Sequence, residues 1–165
     1  MSANATRNTL VGILLVAVVA FGGYWLVTRT ARVECAVCRR DIPSRSKAVI
    51  ELNGKREALC CVRCGLTGAR QRGQGFRLLE VTDYVSLRPL RPEGAYYVEG
   101  SRIVLCSKHE HRLDPSKHPE IPVFDRCEPS IFAFARRQDA EAFAAANGGA
   151  VRGLSEILRE SARQP

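Results

Sequence analysis

The sequence has almost no methionine: Met1 is the single one among its 165 residues. Its scarcity excludes any metal site built from several methionine sulfurs. Histidine is also rare, with three residues, and no acidic residue precedes Glu34. No Ser-His-Asp arrangement, paired-carboxylate pattern or phosphate-binding glycine loop is recognisable. We therefore expect that the protein has no catalytic residues and is not an enzyme.

Basic residues outnumber acidic ones, 25 to 17, which gives a net charge of +8. The densest basic segment, Arg56–Arg77, contains one aromatic residue, Phe76. Single-stranded nucleic acids bind where aromatic rings alternate with positive charges. We therefore interpret this segment as a solvated basic surface, with nucleic acid an unlikely partner.

One long apolar run stands near the N-terminus. The segment Leu10–Val27 carries no charge, and Tyr24 and Trp25 lie near its end, where aromatic rings favour a membrane interface. A helix of about 20 residues spans roughly 30 Å, the thickness of a bilayer core. We predict a short tail over residues 1–9 and a single transmembrane anchor over residues 10–28. The alternative is a cleaved signal peptide, but no convincing small-x-small cleavage site follows the apolar run, and the run is longer than a typical signal core.

The remaining chain predicts an α+β fold of two β-hairpin-plus-helix units, with a possible internal duplication. The first unit, 33–75, has a Cys-x-x-Cys knuckle, two strands joined by the hairpin turn Asn53-Gly54, and a short helix through residues 65–71. The second unit, 76–160, has the following predicted elements: a strand at 78–87, a hairpin of 95–99 and 102–105, a strand at 131–135, a helix at 136–146, a strand at 150–152 and a helix at 155–161.

Five of the seven cysteines form a first cluster: Cys35-x2-Cys38, then 21 residues, then Cys60-Cys61-x2-Cys64. Two cysteine pairs at this separation are typical of a four-thiolate zinc site, and a knuckle, hairpin and helix in this order resemble a treble clef. The expected metal ligands are Cys35, Cys38, Cys61 and Cys64, with Cys60 as the alternative to Cys61. A redox dithiol and structural disulfides are the competing interpretations.

The second cluster contains Cys106, His109 and His111, followed by His118 and Cys127. Soft and borderline ligands at this spacing can bind one metal ion, so Cys106, His109, His111 and Cys127 are candidate ligands. Alternatively, Cys106 and Cys127 form a disulfide that stabilises the fold by roughly 3 kcal/mol, or they are separate core thiols beside solvated histidines.

Several motifs together resemble the NosL family, the copper accessory proteins of nitrous oxide reductase. They are Cys35–Cys38, Thr82–Tyr84, Ala95–Ser101, the run Asp139–Phe143, Gly148–Val151 and Glu156-Ile157. The resemblance implies a membrane-tethered periplasmic domain of two ββα-type halves that holds Cu(I) and delivers it during metalloenzyme assembly. The group Cys60, Cys61 and Cys64 is similar instead to the TRASH-like, treble-clef modules of metal sensor and trafficking proteins.

These observations predict a membrane-anchored metal-binding accessory protein, a NosL-like metallochaperone or assembly factor that handles Cu(I) or Zn(II) through thiolates. The expected partners are the metal ion, the membrane and a client metalloprotein or membrane complex. The expected location is the inner membrane, with the folded part in the periplasm. Two alternatives stay open: a zinc-stapled structural or interaction domain, and a thiol-disulfide redox protein.

Overall fold

The computed structural model describes residues 3–30, 33–75, 77–106, 114–117 and 125–163. The chain divides into two compact units, Met1–Arg32 and Val33–Pro165. The predicted boundary at residue 75, inside the second unit, stays a prediction.

The first unit is one helix, α1, over Ala3–Thr30. It contains the apolar run, and the side chains of residues 11–25 are exposed. Among the residues that the structure describes, no helix combines the length and the apolar character needed to cross a membrane. The helix is therefore confirmed, whereas the transmembrane anchor predicted over residues 10–28 has no support from the structure.

The first half of the second unit is built on a four-stranded antiparallel sheet with the strand order β2-β1-β3-β4. Its turn residues, Asn53 and Gly54, both adopt positive φ, which is the geometry of a tight two-residue hairpin. The elements are β1 Ala48–Leu52, β2 Lys55–Leu59, α2 Val62–Gln71, β3 Arg77–Thr82 and β4 Pro89–Leu90. The predicted first hairpin and helix are confirmed.

The second half repeats this topology around a three-stranded antiparallel sheet of order β6-β5-β7. In both sheets the first strand is central, and its neighbours are the second strand and the strand that follows the helix. This equivalence supports the internal duplication. The elements are a 3-10 turn Pro92–Gly94, β5 Tyr96–Glu99, β6 Ile131–Phe134, α3 Arg137–Asn147, β7 Ala150–Arg152 and α4 Leu154–Arg163.

The predicted second hairpin is wrong. Residues 102–105 form no strand, and β5 pairs with β6, with Glu99 opposite Ile131. The reason lies after β5, where the Gly100 N–H donates to the Ser130 carbonyl over 2.8 Å and the Ser101 and Ser130 hydroxyls are 2.9 Å apart. These bonds bring in the strand that follows Ser130 as the partner of β5.

The strand predicted over residues 78–87 ends early, at Thr82. The Asp83 carboxylate accepts a hydrogen bond from the Ser86 N–H over 2.9 Å, which turns the chain away from the sheet. The other oxygen of Asp83 accepts from the Ala135 N–H over 2.9 Å, just after β6. Asp83 therefore joins the two halves of the second unit.

The core of this unit has two parts. One contains buried residues of the first sheet together with several cysteines and Tyr97. The other packs the rings of Tyr84, Phe132, Phe134 and Phe143, with centroids 4.7 to 5.6 Å apart, beneath α3. The cysteines thus lie in the interior, on the side of the first sheet.

Candidate metal centre

All seven cysteines meet in the interior of the second unit, and all are free thiols. They form two overlapping groups, in each of which the sulfur atoms lie within 4.8 Å of one another. Group A consists of Cys35, Cys38, Cys60 and Cys64, and group B consists of Cys60, Cys61, Cys106 and Cys127. Cys60 belongs to both groups.

A backbone knuckle holds the first two cysteines. The Cys35 N–H donates to the Arg40 carbonyl over 2.9 Å, and the Arg39 N–H donates to the Cys35 carbonyl over 3.0 Å. Arg39 has φ 62, a left-handed conformation that closes this turn. The Ala36 N–H also donates to the Ala58 carbonyl over 3.1 Å, so the knuckle is fixed against β2.

Helix α2 brings the next cysteines to the knuckle. Cys61 is its N-cap, and the Cys64 N–H donates to the Cys61 sulfur over 3.4 Å. The Ser46 hydroxyl donates to the Cys60 carbonyl over 2.7 Å and fixes the residue before the cap. Because the N-terminus of a helix carries partial positive charge, this position stabilises thiolate anions.

Two glycines allow α2 to approach its neighbours closely. A Cβ atom on Gly65 would lie 2.7 Å from Leu59 Cδ1, and one on Gly68 would lie 2.7 and 2.8 Å from the two methyl groups of Val37. Since Val37 stands between the two cysteines of the knuckle, Gly68 sets the distance between the knuckle and the helix.

A distant segment supplies Cys127. Arg40 donates two hydrogen bonds to the Asp125 carboxylate, of 3.0 and 2.7 Å, although the residues are 85 positions apart. Arg126 donates to the Val37 carbonyl over 3.2 Å, and the Cys127 N–H donates to Asp125 over 2.8 Å. These contacts attach the segment before β6 to the knuckle and direct Cys127 into the cluster.

The distances between sulfurs suit a thiolate-bound ion. They are 3.6 Å for Cys35 to Cys64, 3.5 Å for Cys38 to Cys60, and 3.5 Å for Cys60 to Cys127. A tetrahedral ion with metal–sulfur bonds of about 2.3 Å holds its sulfurs about 3.8 Å apart. Five of the seven cysteines are buried, whereas Cys38 and Cys106 are half-buried.

The crowding of the thiols shifts their pKa values in opposite directions. The pKa of Cys35 is lowered because its sulfur accepts hydrogen bonds from Cys60 and Cys64, and that of Cys127 is lowered by Cys106 and Cys60. The pKa of Cys60 is raised, first through its hydrogen bond with Cys106. Metal binding displaces protons from the sulfurs that hold them, because a cysteine binds a metal as its thiolate.

The structure places the predicted ligands as follows. Cys35, Cys38 and Cys64 come together with Cys60, the alternative ligand, whereas Cys61 lies in group B. Cys106 and Cys127 approach each other in group B, although the strand predicted at 102–105, beside Cys106, does not form. His109, His111 and His118 lie outside the described residues. The ligand set stays a prediction.

Sequence reasoning did not foresee that the two cysteine clusters would merge. The signal that could have indicated it is the adjacent pair Cys60-Cys61, which offers one sulfur more than a single four-thiolate site requires.

In comparisons with known proteins, the chain matches no protein-family profile and no curated protein. Among solved structures, it is similar to the copper chaperone NosL from Shewanella denitrificans, with a TM-score of 0.48 and 18% sequence identity. The similarity covers 74% of this chain and 87% of that chain. NosL is also the family that the sequence motifs resemble.

Proposed function

We propose that this chain is a metal-binding accessory protein that holds Cu(I) or Zn(II) on cysteine thiolates and passes the ion to a client protein. The observation that carries the proposal is the convergence of all seven cysteines, from four separate parts of the chain, into two overlapping groups of four sulfurs. Thiolates are the ligands that Cu(I) and Zn(II) share, so the donor set suits either ion.

The arrangement of the sulfurs in two groups of four favours a metal site over structural disulfides or a redox pair. The contacts of Cys60 with Cys38 and Cys127 are both 3.5 Å, against about 2.05 Å for a disulfide bond. A thioredoxin-type motif places its cysteine pair at a helix N-terminus. Cys35 and Cys38 lie instead in a turn that precedes β1. Cys61 and Cys64 do lie at the start of α2, but each belongs to a different group of four sulfurs, which a two-thiol redox site does not require.

The partial exposure of one cysteine in each group favours transfer over a purely structural role. Cys38 in group A and Cys106 in group B are half-buried, and their group partners are buried. Metal transfer proceeds by stepwise ligand exchange, which requires at least one sulfur that an incoming ligand can replace. A closed zinc staple has no need of such an opening.

Metal loading and exchange test the proposal. The reduced full-length chain is loaded with Zn(II) or with Cu(I), and the bound metal is measured before and after addition of a chelator in excess. We expect at least one ion per chain and release much faster than unfolding of the chain, measured in parallel by circular dichroism. The matched control is a Cys35→Ser, Cys64→Ser double variant, which should lose metal from group A.

Two results contradict the proposal in different ways. A wild-type chain that binds neither metal refutes metal binding itself. A chain that binds zinc but releases it only at the rate of unfolding is the zinc-stapled interaction domain instead. The client protein and the location at the inner membrane, with the folded part in the periplasm, stay predictions from the sequence.

A further inference from the structure

We propose that the seven cysteines form one centre that binds two metal ions, with the Cys60 thiolate shared between them. The inference rests on the proposed function, because it requires that the thiols bind metal at all. It adds the number of ions and the role of one residue.

The position of Cys60 is the first argument. Its sulfur lies 3.5 Å from that of Cys38 in group A, and 3.5 and 3.8 Å from those of Cys127 and Cys61 in group B. Cys60 is fully buried, so its sulfur has only other sulfurs and the core around it. A thiolate so placed can bind an ion on either side.

The number of ligands is the second argument. One tetrahedral ion takes four thiolates, and two separate ions take eight, but the chain has seven cysteines. Sharing a single sulfur satisfies both groups, since each of them contains four cysteines and only Cys60 is common to both. A single ion would leave three thiols of the centre without a role in binding: Cys61, Cys106 and Cys127 if group A holds it, or Cys35, Cys38 and Cys64 if group B does.

Charge is the third argument. Seven thiolates carry −7, and two divalent ions carry +4, which leaves −3 on the centre. A single divalent ion on four thiolates would leave −2, with the other three sulfurs as neutral thiols. Part of the remainder is offset by Arg40, whose guanidinium lies 4.0 Å from the Cys127 sulfur, and by the Cys64 N–H at the start of α2. The net charges of a one-ion and a two-ion centre therefore differ by one, and charge does not oppose the second ion.

The first experiment counts the ions and detects the shared sulfur without any substitution. The reduced full-length chain is loaded with Zn(II) and weighed by native mass spectrometry, and a second sample is loaded with 113Cd and studied by cadmium NMR. We expect two ions per chain and two cadmium resonances with scalar coupling between them, which is transmitted through a shared sulfur. Two uncoupled resonances overturn the shared ligand.

The second experiment compares two adjacent buried cysteines. In Cys60→Ser both groups lose a ligand, whereas in the matched control Cys61→Ser only group B does. Changes outside the first coordination shell alone weaken metal binding 10–100-fold, so we expect loss of a ligand to weaken zinc binding by at least about tenfold. Chelator competition should show weaker binding of both zinc ions in Cys60→Ser and of one zinc ion in Cys61→Ser. Equal effects of the two substitutions overturn the proposal.

The outcomes separate this inference from the proposed function. A wild-type chain that binds one ion refutes the two-ion centre and leaves metal handling intact. A chain that binds no ion refutes both.

Discussion

The close approach of α2 to the knuckle can be tested by adding one methyl group at Gly68. In Gly68→Ala, the new Cβ would lie 2.7 and 2.8 Å from the methyl groups of Val37, where carbon atoms normally stay about 3.5–4.0 Å apart. Two simultaneous overlaps put the cost near the upper end of overpacking, about 3 kcal/mol. Alanine is favoured over glycine within a helix by about 1 kcal/mol, so we expect a net destabilisation of about 2 kcal/mol.

The assay is urea denaturation at a fixed free zinc concentration, combined with a double-mutant cycle. Val37→Ala removes both methyl groups that the added Cβ would meet, so the double variant should recover most of the loss caused by Gly68→Ala. The control is Gly94→Ala, where no atom lies within 4 Å of the added Cβ. If Gly68→Ala matches the wild type, or if the two substitutions are additive, the packing argument is wrong.

Three further predictions concern the rest of the second unit. Glu99→Gln leaves the buried guanidinium of Arg63 without its charged partner, so the free energy of unfolding in urea should fall by about 3 kcal/mol. The control is Glu51→Gln, at an exposed ion pair, which should change the free energy of unfolding by less than about 1 kcal/mol. The pKa of Asp83 is lowered, because hydrogen bonds from Ser86 and from the Ala135 N–H outweigh burial, which alone would raise it. The Asp83 carboxylate therefore stabilises the fold above the ordinary pKa of 3.8, and this contribution is lost as the pH falls through the lowered value. Asp83→Asn should be less stable than wild type at pH 7, and the difference in unfolding free energy should shrink below about pH 4. A difference that stays constant with pH would refute the assignment. Deletion of residues 1–32 should leave a soluble folded domain, because Val33–Pro165 has its own core; a disordered NMR spectrum of the reduced, zinc-supplemented fragment would contradict this.

Local signals made the first half of the fold predictable. Asn53-Gly54 determined the first hairpin, since both residues readily adopt positive φ, and the two predicted strands flank this turn. Helix α3 and strand β7 were likewise predicted to within one residue. In each case the information lies within a few neighbouring residues.

The second sheet was not predictable in the same way, because its pairing is non-local. Gly100-Ser101 has the composition of a hairpin turn, and Gly100 does adopt φ 77. The partner of β5 is selected by Ser130, which is 29 positions beyond Ser101. The local alternation of residues 102–105 does not reveal that residues 131–134 pair with β5 in their place.

The convergence of the cysteines was predictable only in part, because some of the contacts that produce it are also non-local. The spacing of Cys35, Cys38 and Cys64 indicated a local metal finger, and these three sulfurs do converge. Group B depends on Cys127, which reaches the cluster through the ion pair of Arg40 with Asp125. A contact between two charged residues so far apart in the chain leaves no periodic pattern in the sequence.

The ion pair between Arg40 and Asp125 also has a consequence for biosynthesis. The thiols of group A lie within one segment, with Cys35 and Cys64 29 positions apart, whereas Cys60 and Cys127 of group B are 67 positions apart. The longer closure costs only about 0.7 kcal/mol more in chain entropy, but it requires a segment that leaves the ribosome later. A nascent chain that ends before Cys106 already carries the whole of group A and lacks half of group B. We therefore expect group A to become competent for metal during translation, and group B only after Asp125 has reached Arg40.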